Sequence, residues 1–145
     1  MSLNSIRSYP ITRSIRWLLL AGSVCVLGGY YTASTVDPDP RGFGTHQQFG
    51  FPPCSFRVFI GVPCPSCGGT TSVAYFVRGQ WIDSLKSNTA VFVLAFLGLV
   101  YLPWSLLSLK AGRLLGVVTP SHFVVTILVT LSVIAVVQWG WRLLT

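Results

Sequence analysis

Residues 87–109, SNTAVFVLAFLGLVYLPWSLLSL, contain no Asp, Glu, Lys or Arg. A helix crossing a hydrocarbon core of about 30 Å needs about 20 apolar residues, and this run supplies them. Lys86 bounds it on one side, and Lys110 with Arg113 on the other. Pro103 removes one backbone donor and is expected to kink the helix toward its far end, where Tyr101 and Trp104 mark an interface. Uncharged runs of the same kind extend over residues 17–36 and 114–141. Three such runs define an all-α integral membrane protein with three transmembrane helices.

Composition agrees. Hydrophobic residues make up 52% of the 145-residue chain and charged residues only 9%, which does not describe a soluble surface. The net charge of +7 comes from ten Lys and Arg residues scattered singly, mostly at the ends of apolar runs. That distribution suits topology signals and contact with anionic lipid headgroups. A nucleic-acid surface would need a clustered basic stripe, so the bilayer is the expected partner and nucleic acid is not.

The chain divides accordingly. Residues 1–16 form a basic leader with Arg7, Arg13 and Arg16, and residues 17–36 the first span. The leader and span also resemble a signal peptide, whose cleavage within residues 1–34 would leave two spans. The stretch lacks a small-x-small cleavage site and ends in Tyr30 and Tyr31, which suit an aromatic belt, so an uncleaved span is preferred. Cys25, between Val24 and Val26, reads as a buried, inert thiol. Ala21, Gly22, Ser23 and Gly28-Gly29 are small enough for close helix contact, with another membrane protein or a second copy as candidate partners.

Residues 37–88 form a long loop that opens with Pro- and Gly-rich sequence unable to hold a long helix. Further on, Val73, Phe76, Val77, Trp81 and Leu85 recur at helical spacing, which predicts an interfacial amphipathic helix after the Cys-rich loop, with Gly79 as a break. The second span covers residues 89–109 and the third residues 122–144, anchored by Trp139, Trp141 and Arg142. His122 is expected at the interface as a helix starts. Arg7, Arg13, Arg16, Lys110 and Arg113 fall on one side of this plan. The positive-inside rule therefore places the N-terminus in the cytoplasm and the cysteine loop outside, in an oxidising compartment.

The loop carries Cys54, Cys64 and Cys67. Cys64-Pro65-Ser66-Cys67 runs into Gly68, Gly69, Thr70 and Thr71, where the glycines permit a tight turn and a Thr hydroxyl would cap a helix. Cys67 would then precede a helix N-terminus that favours its thiolate. Three readings stay open. Cys64 and Cys67 could cycle between dithiol and disulfide with Cys54 as a third thiol, although the strand-helix context of thioredoxin-like motifs is missing. Cys54, Cys64 and Cys67 with His46 could supply a zinc site. A thiol cluster or disulfide could simply pin the loop to the membrane surface.

Cys54, the C-P-S-C-G-x-T segment of residues 64–70, an apolar helix ending in Arg78-Gly79, and Asn88 opening a span together resemble the domain of unknown function 2752 family of small bacterial membrane proteins. The resemblance covers about residues 50–110. Many members carry Arg after the Thr, where this chain has Thr71. The family implies a membrane location, here the bacterial inner membrane, and no established activity. With no paired carboxylates, Ser-His-Asp set or phosphate loop, the leading expectation is a structural or accessory component of a membrane assembly rather than an enzyme. A membrane-tethered thiol-disulfide protein is the alternative, and a structural zinc site the third reading.

Overall fold

The computed structural model describes residues 8–144, so Arg7 and the rest of the leader up to residue 7 lie outside the described residues. Helix α1 (Arg13–Ser34) is followed by a 3-10 turn (Thr45–Phe49), α2 (Ser55–Phe59), α3 (Gly69–Val77), α4 (Trp81–Ser87), α5 (Thr89–Ala111) and α6 (Pro120–Leu144). Helices α1, α5 and α6 are each long and apolar enough to cross a membrane. The Thr12 side chain caps α1 by accepting from the Ile15 amide at 3.3 Å. Pro120 opens α6, where its missing N–H costs nothing. Helix α5 continues through Pro103.

Burial is inverted relative to a soluble protein. Among the described residues the largest fully buried side chains are Asn88, Thr45, Thr71, Ser72, Ser84, Ser105 and Ser108, and large aliphatic residues point outward along α1, α5 and α6. In lipid, apolar side chains have a favourable solvent outside, so helices associate through small residues and hydrogen bonds. Helices α1 and α5 do this with reciprocal tyrosines. The Tyr101 hydroxyl donates to the Leu19 carbonyl at 2.9 Å and lies against Gly22, while the Tyr30 hydroxyl donates to the Ala95 carbonyl and lies against Gly98. The Ser23 and Ser105 hydroxyls pair at 3.0 Å between them. Gly22 thus serves close contact as its size suggests, whereas Gly28 and Gly29 face open space. Tyr30 turns inward, and Tyr31 remains exposed as an interfacial tyrosine would. Cys25 corrects the expectation of a buried thiol: it is exposed on the surface of α1.

At one end of the bundle, strand β1 (Tyr9–Pro10) pairs antiparallel with β2 (Arg113–Leu114), Tyr9 opposite Leu114. Leu19, Leu114 and Val117 form a small core there, with Ile15, Tyr101 and Trp104 packed against it. The leader and the α5–α6 connection therefore share one end.

At the other end the loop folds into a cap. The helical face over residues 73–85 breaks at Gly79, whose φ is +75°, and α3 and α4 lie side by side. The Ser72 hydroxyl donates to the Ser84 carbonyl at 3.0 Å, and the Ser84 hydroxyl returns the bond to the Ser72 carbonyl at 2.7 Å. Helix α3 is thereby buried, and α4 keeps Trp81 and Ile82 exposed. Arg78 is more than a charge on a polar face. Its guanidinium donates to the carbonyls of Ala33 (3.2 Å), Ser34 (3.3 Å) and Val36 (2.6 Å), closing the C-terminus of α1. The Ala33 and Ser34 carbonyls belong to the last turn of α1, which has no amide of its own to offer them, and the cation faces the negative end of the helix dipole. Replacing Arg78 by Met should lower stability by about 2 kcal/mol, the scale of a hydrogen bond to a charged group. Thermal unfolding in detergent would register the loss, with Arg78→Lys recovering part of it.

Candidate functional site: a three-thiol cluster in the cap

The Cys64–Cys67 segment is a tight turn in which the Cys67 amide donates to the Cys64 carbonyl at 3.0 Å and the Gly69 amide to the Ser66 carbonyl at 3.0 Å. Gly68 ends the turn with φ of +85° and is the N-cap of α3. A Cβ at Gly68 would stand 2.4 Å from the Ser87 carbonyl oxygen and 2.5 Å from that of Gly42. Only glycine meets both the backbone conformation and the close approach. No side chain caps α3 here, contrary to the expected Thr cap. The Thr71 hydroxyl instead pairs with that of Thr45 at 2.8 Å, fastening α3 to the 3-10 turn.

Cys54 arrives from a separate stretch as the N-cap of α2. The sulfurs of Cys54, Cys64 and Cys67 all lie within 4.8 Å of one another, and all are free thiols. His46 lines the same 270 Å³ cavity but stands outside the sulfur group, its Nε2 3.1 Å from the Pro52 carbonyl oxygen.

The thiols differ electrostatically. Cys54 is held below the usual thiol range, chiefly because the Arg57 backbone amide at the start of α2 points at its sulfur; further hydrogen bonds from Cys64 and the Phe56 amide add to this. Cys67 is pushed up, first by burial and then by the neighbouring Cys64 and Cys54 sulfurs, with the Arg57 and Arg142 charges opposing. The expected thiolate preference of Cys67 is therefore overturned. Its position ahead of α3 is outweighed by desolvation, and the preference falls to Cys54.

The backbone of the turn is held from outside. The Asn88 side chain donates to the carbonyls of Cys67 (3.2 Å) and Pro65 (3.3 Å), while its Oδ1 accepts from the Val91 amide (3.1 Å) as the N-cap of α5. Arg142 on α6 donates to the carbonyls of Cys67 (3.0 Å), Lys86 (3.1 Å) and Ser87. Trp139 donates its indole N–H to the Pro63 carbonyl at 2.7 Å, and Gln138 accepts from the Thr89 amide at 2.8 Å. Sequence reading found the three cysteines, but it took Arg142 and Trp139 only as interfacial anchors and missed Arg57 as a neighbour of the thiols. Their partners are backbone groups distant in sequence, which no local pattern announces.

Two outcomes follow. Alkylation followed site by site by mass spectrometry across pH should modify Cys54 at lower pH than an ordinary thiol, and Cys67 last. Gly68→Ala should abolish the folded cap, seen as equal, rapid labelling of Cys54 and Cys67.

Searches of curated proteins and of solved structures find no match. Helix α6, with Gln138, Trp139 and Arg142, lies beyond the family match, which covers about a third of the chain. From Cys54 through the C-P-S-C turn, the α3–α4 hairpin and most of α5, residues 54–102 match the family described as protein of unknown function (DUF2752), in support of the resemblance carried by the C-P-x-C-G-x-T segment.

Proposed function

We propose that the cap is a metal-fastened module, in which Cys54, Cys64 and Cys67 hold a thiophilic ion such as zinc and make this chain an accessory component of a bacterial inner membrane. The convergence of three sulfurs within 4.8 Å carries this reading. Sulfurs that each stand ~2.3 Å from one tetrahedral ion are roughly 3.8 Å apart, within reach by small side-chain rotations. Arg57 and Arg142 lie close enough to Cys67 to offset thiolate charge. A fourth ligand would be water or His46, which shares the cavity wall.

Zinc should copurify at about one ion per chain under reducing conditions, and cobalt(II) should give the strong near-ultraviolet thiolate charge-transfer absorption. Cys64→Ser should abolish both. Failure of zinc and cobalt to bind at micromolar concentration would overturn the site.

The lowered proton affinity of Cys54 favours a second reading, thiol-disulfide exchange. Cys54 thiolate would attack a partner disulfide and Cys64 would resolve the mixed disulfide. The pair would become oxidised as the partner gains two electrons and two protons. Thiol trapping in membranes separates the two: a metal-held cluster stays reduced and protected until chelated, and an exchanging pair is trapped in both states.

The cap end is taken to face outside and the β1–β2 end the cytoplasm. Arg13, Arg16, Lys110 and Arg113 occupy the β1–β2 end. At the cap end, Arg78 pairs with Asp37 at 3.4 Å and Arg41 with Asp39 at 2.6 Å, which leaves Arg57, Lys86 and Arg142 against Asp83. With all three acids of the chain at the cap, the β1–β2 end carries the larger net positive charge and is taken as the cytoplasmic one. A membrane-impermeant thiol reagent applied to intact spheroplasts, after chelation and reduction, should label Cys54; labelling only after lysis would reverse the orientation.

A further inference from the structure

A second cavity, about 460 Å³, opens beside the thiol cluster between the Phe43 loop, α2, α4 and the last turn of α6. Its walls carry Arg41, Arg57, Lys86 and Arg142 against a single acid, Asp83. Arg41 is neutralised by Asp39. Among the described residues, Arg57, Lys86 and Arg142 form no ion pair. Arg142 spends its N–H groups on carbonyls that bring no compensating charge, and Arg57 stacks over the Phe43 ring with its guanidinium carbon 3.6 Å from the ring centroid. Three cations outside any ion pair, against the one carboxylate of Asp83, leave this concave wall net positive and make a site for an anion with several oxygens.

The surroundings specify what carries that anion. The cavity lies where α6 ends, at Trp139 and Arg142, and where α5 begins, immediately after Ser87 and Asn88. Both membrane-length helices have an end there, and the ends of helices that span a bilayer lie at headgroup level. Flanking Arg57 on α2 and just after it, Phe56, Val58, Phe59 and Ile60 are exposed, Phe59 at 84%. An exposed apolar patch of this kind beside cations matches the boundary between headgroups and acyl chains. A soluble phosphate would have no use for it.

We propose that this cavity binds the phosphate of an anionic phospholipid, with Arg57 and Lys86 as direct charge partners, Arg142 supplying field from the wall, and Phe59 and Ile60 entering the acyl boundary. Arg57 also offsets charge at Cys67, so Lys86, which has no part in the thiol cluster, is the position that separates this proposal from the metal reading.

The test uses the full chain in nanodiscs of neutral phosphatidylcholine, with phosphatidylglycerol titrated in and lipid retention read by native mass spectrometry. One phosphatidylglycerol per chain should be retained in preference to phosphatidylcholine. Arg57→Gln and Lys86→Gln, both exposed positions, should each weaken retention about fivefold, the effect of removing one basic residue near the surface. Unchanged thermal midpoints would show that the cap is intact. Phe59→Ser should weaken phosphatidylglycerol retention without altering any competition by inorganic phosphate. Equal retention of the two lipids, or variants that bind like the parent, would overturn the site. Inorganic phosphate binding as tightly as the lipid would overturn the lipid assignment. Zinc bound per chain, measured on the Lys86→Gln sample, should be unchanged, which keeps failure here distinguishable from failure of the metal site.

Discussion

One backbone oxygen ties this molecule together. The Cys67 carbonyl accepts from Asn88 at the start of α5 and from Arg142 at the end of α6. Two membrane-length helices are thus pinned to the turn that carries two of the three clustered thiols. Charged and amide donors, held in a setting with little competing water, make such bonds costly to break. Asn88 is fully buried, so a side chain there that could neither donate nor accept would leave the Pro65 carbonyl and the Val91 amide without these bonds and the Cys67 carbonyl with Arg142 alone. Gly68 follows directly in the chain and admits the Ser87 and Gly42 carbonyls where any Cβ would collide. Position, cap and thiol cluster depend on the same few ångströms.

The distribution of polarity follows from the same requirement. With lipid outside, the chain gains little by burying Leu or Val, and its interior is filled by Ser, Thr, Asn and Gly. The Ser72–Ser84 exchange between α3 and α4, the Ser23–Ser105 pair and the two tyrosine-to-carbonyl bonds between α1 and α5 each join surfaces that would otherwise have no reason to meet. The basic residues divide by task. Arg78 and Arg142 satisfy carbonyls at helix ends, whereas Arg57 and Lys86 remain available at the surface of the cap. A chain with so few charges commits two of them to holding its cap on the bundle.

Thiol chemistry in the cap is set by location rather than by motif. Cys64 and Cys67 share a familiar spacing, yet the thiol with the lowered proton affinity is Cys54, the one outside the C-x2-C unit. Burial governs Cys67, and a backbone amide governs Cys54. A helix N-terminus read from the sequence predicts a field but not the dielectric around it, and at Cys67 the dielectric wins.

Much of the fold was legible in advance. Hydropathy is a local property, so uncharged runs announced three membrane-length helices. Gly79 announced the break between α3 and α4, and the cysteines marked the cap. The sequence by itself determined that the chain is helical and apolar enough to cross a membrane three times, and that three cysteines lie in one connecting segment. Only the tertiary structure decided that Cys54 joins Cys64 and Cys67, that His46 stays at the cavity wall, and that Arg78 and Arg142 serve as caps. The physical reason is range. Helix period and hydrophobicity are written residue by residue, whereas these sulfurs and guanidiniums find partners across loops and between helices, through backbone groups that every residue carries alike.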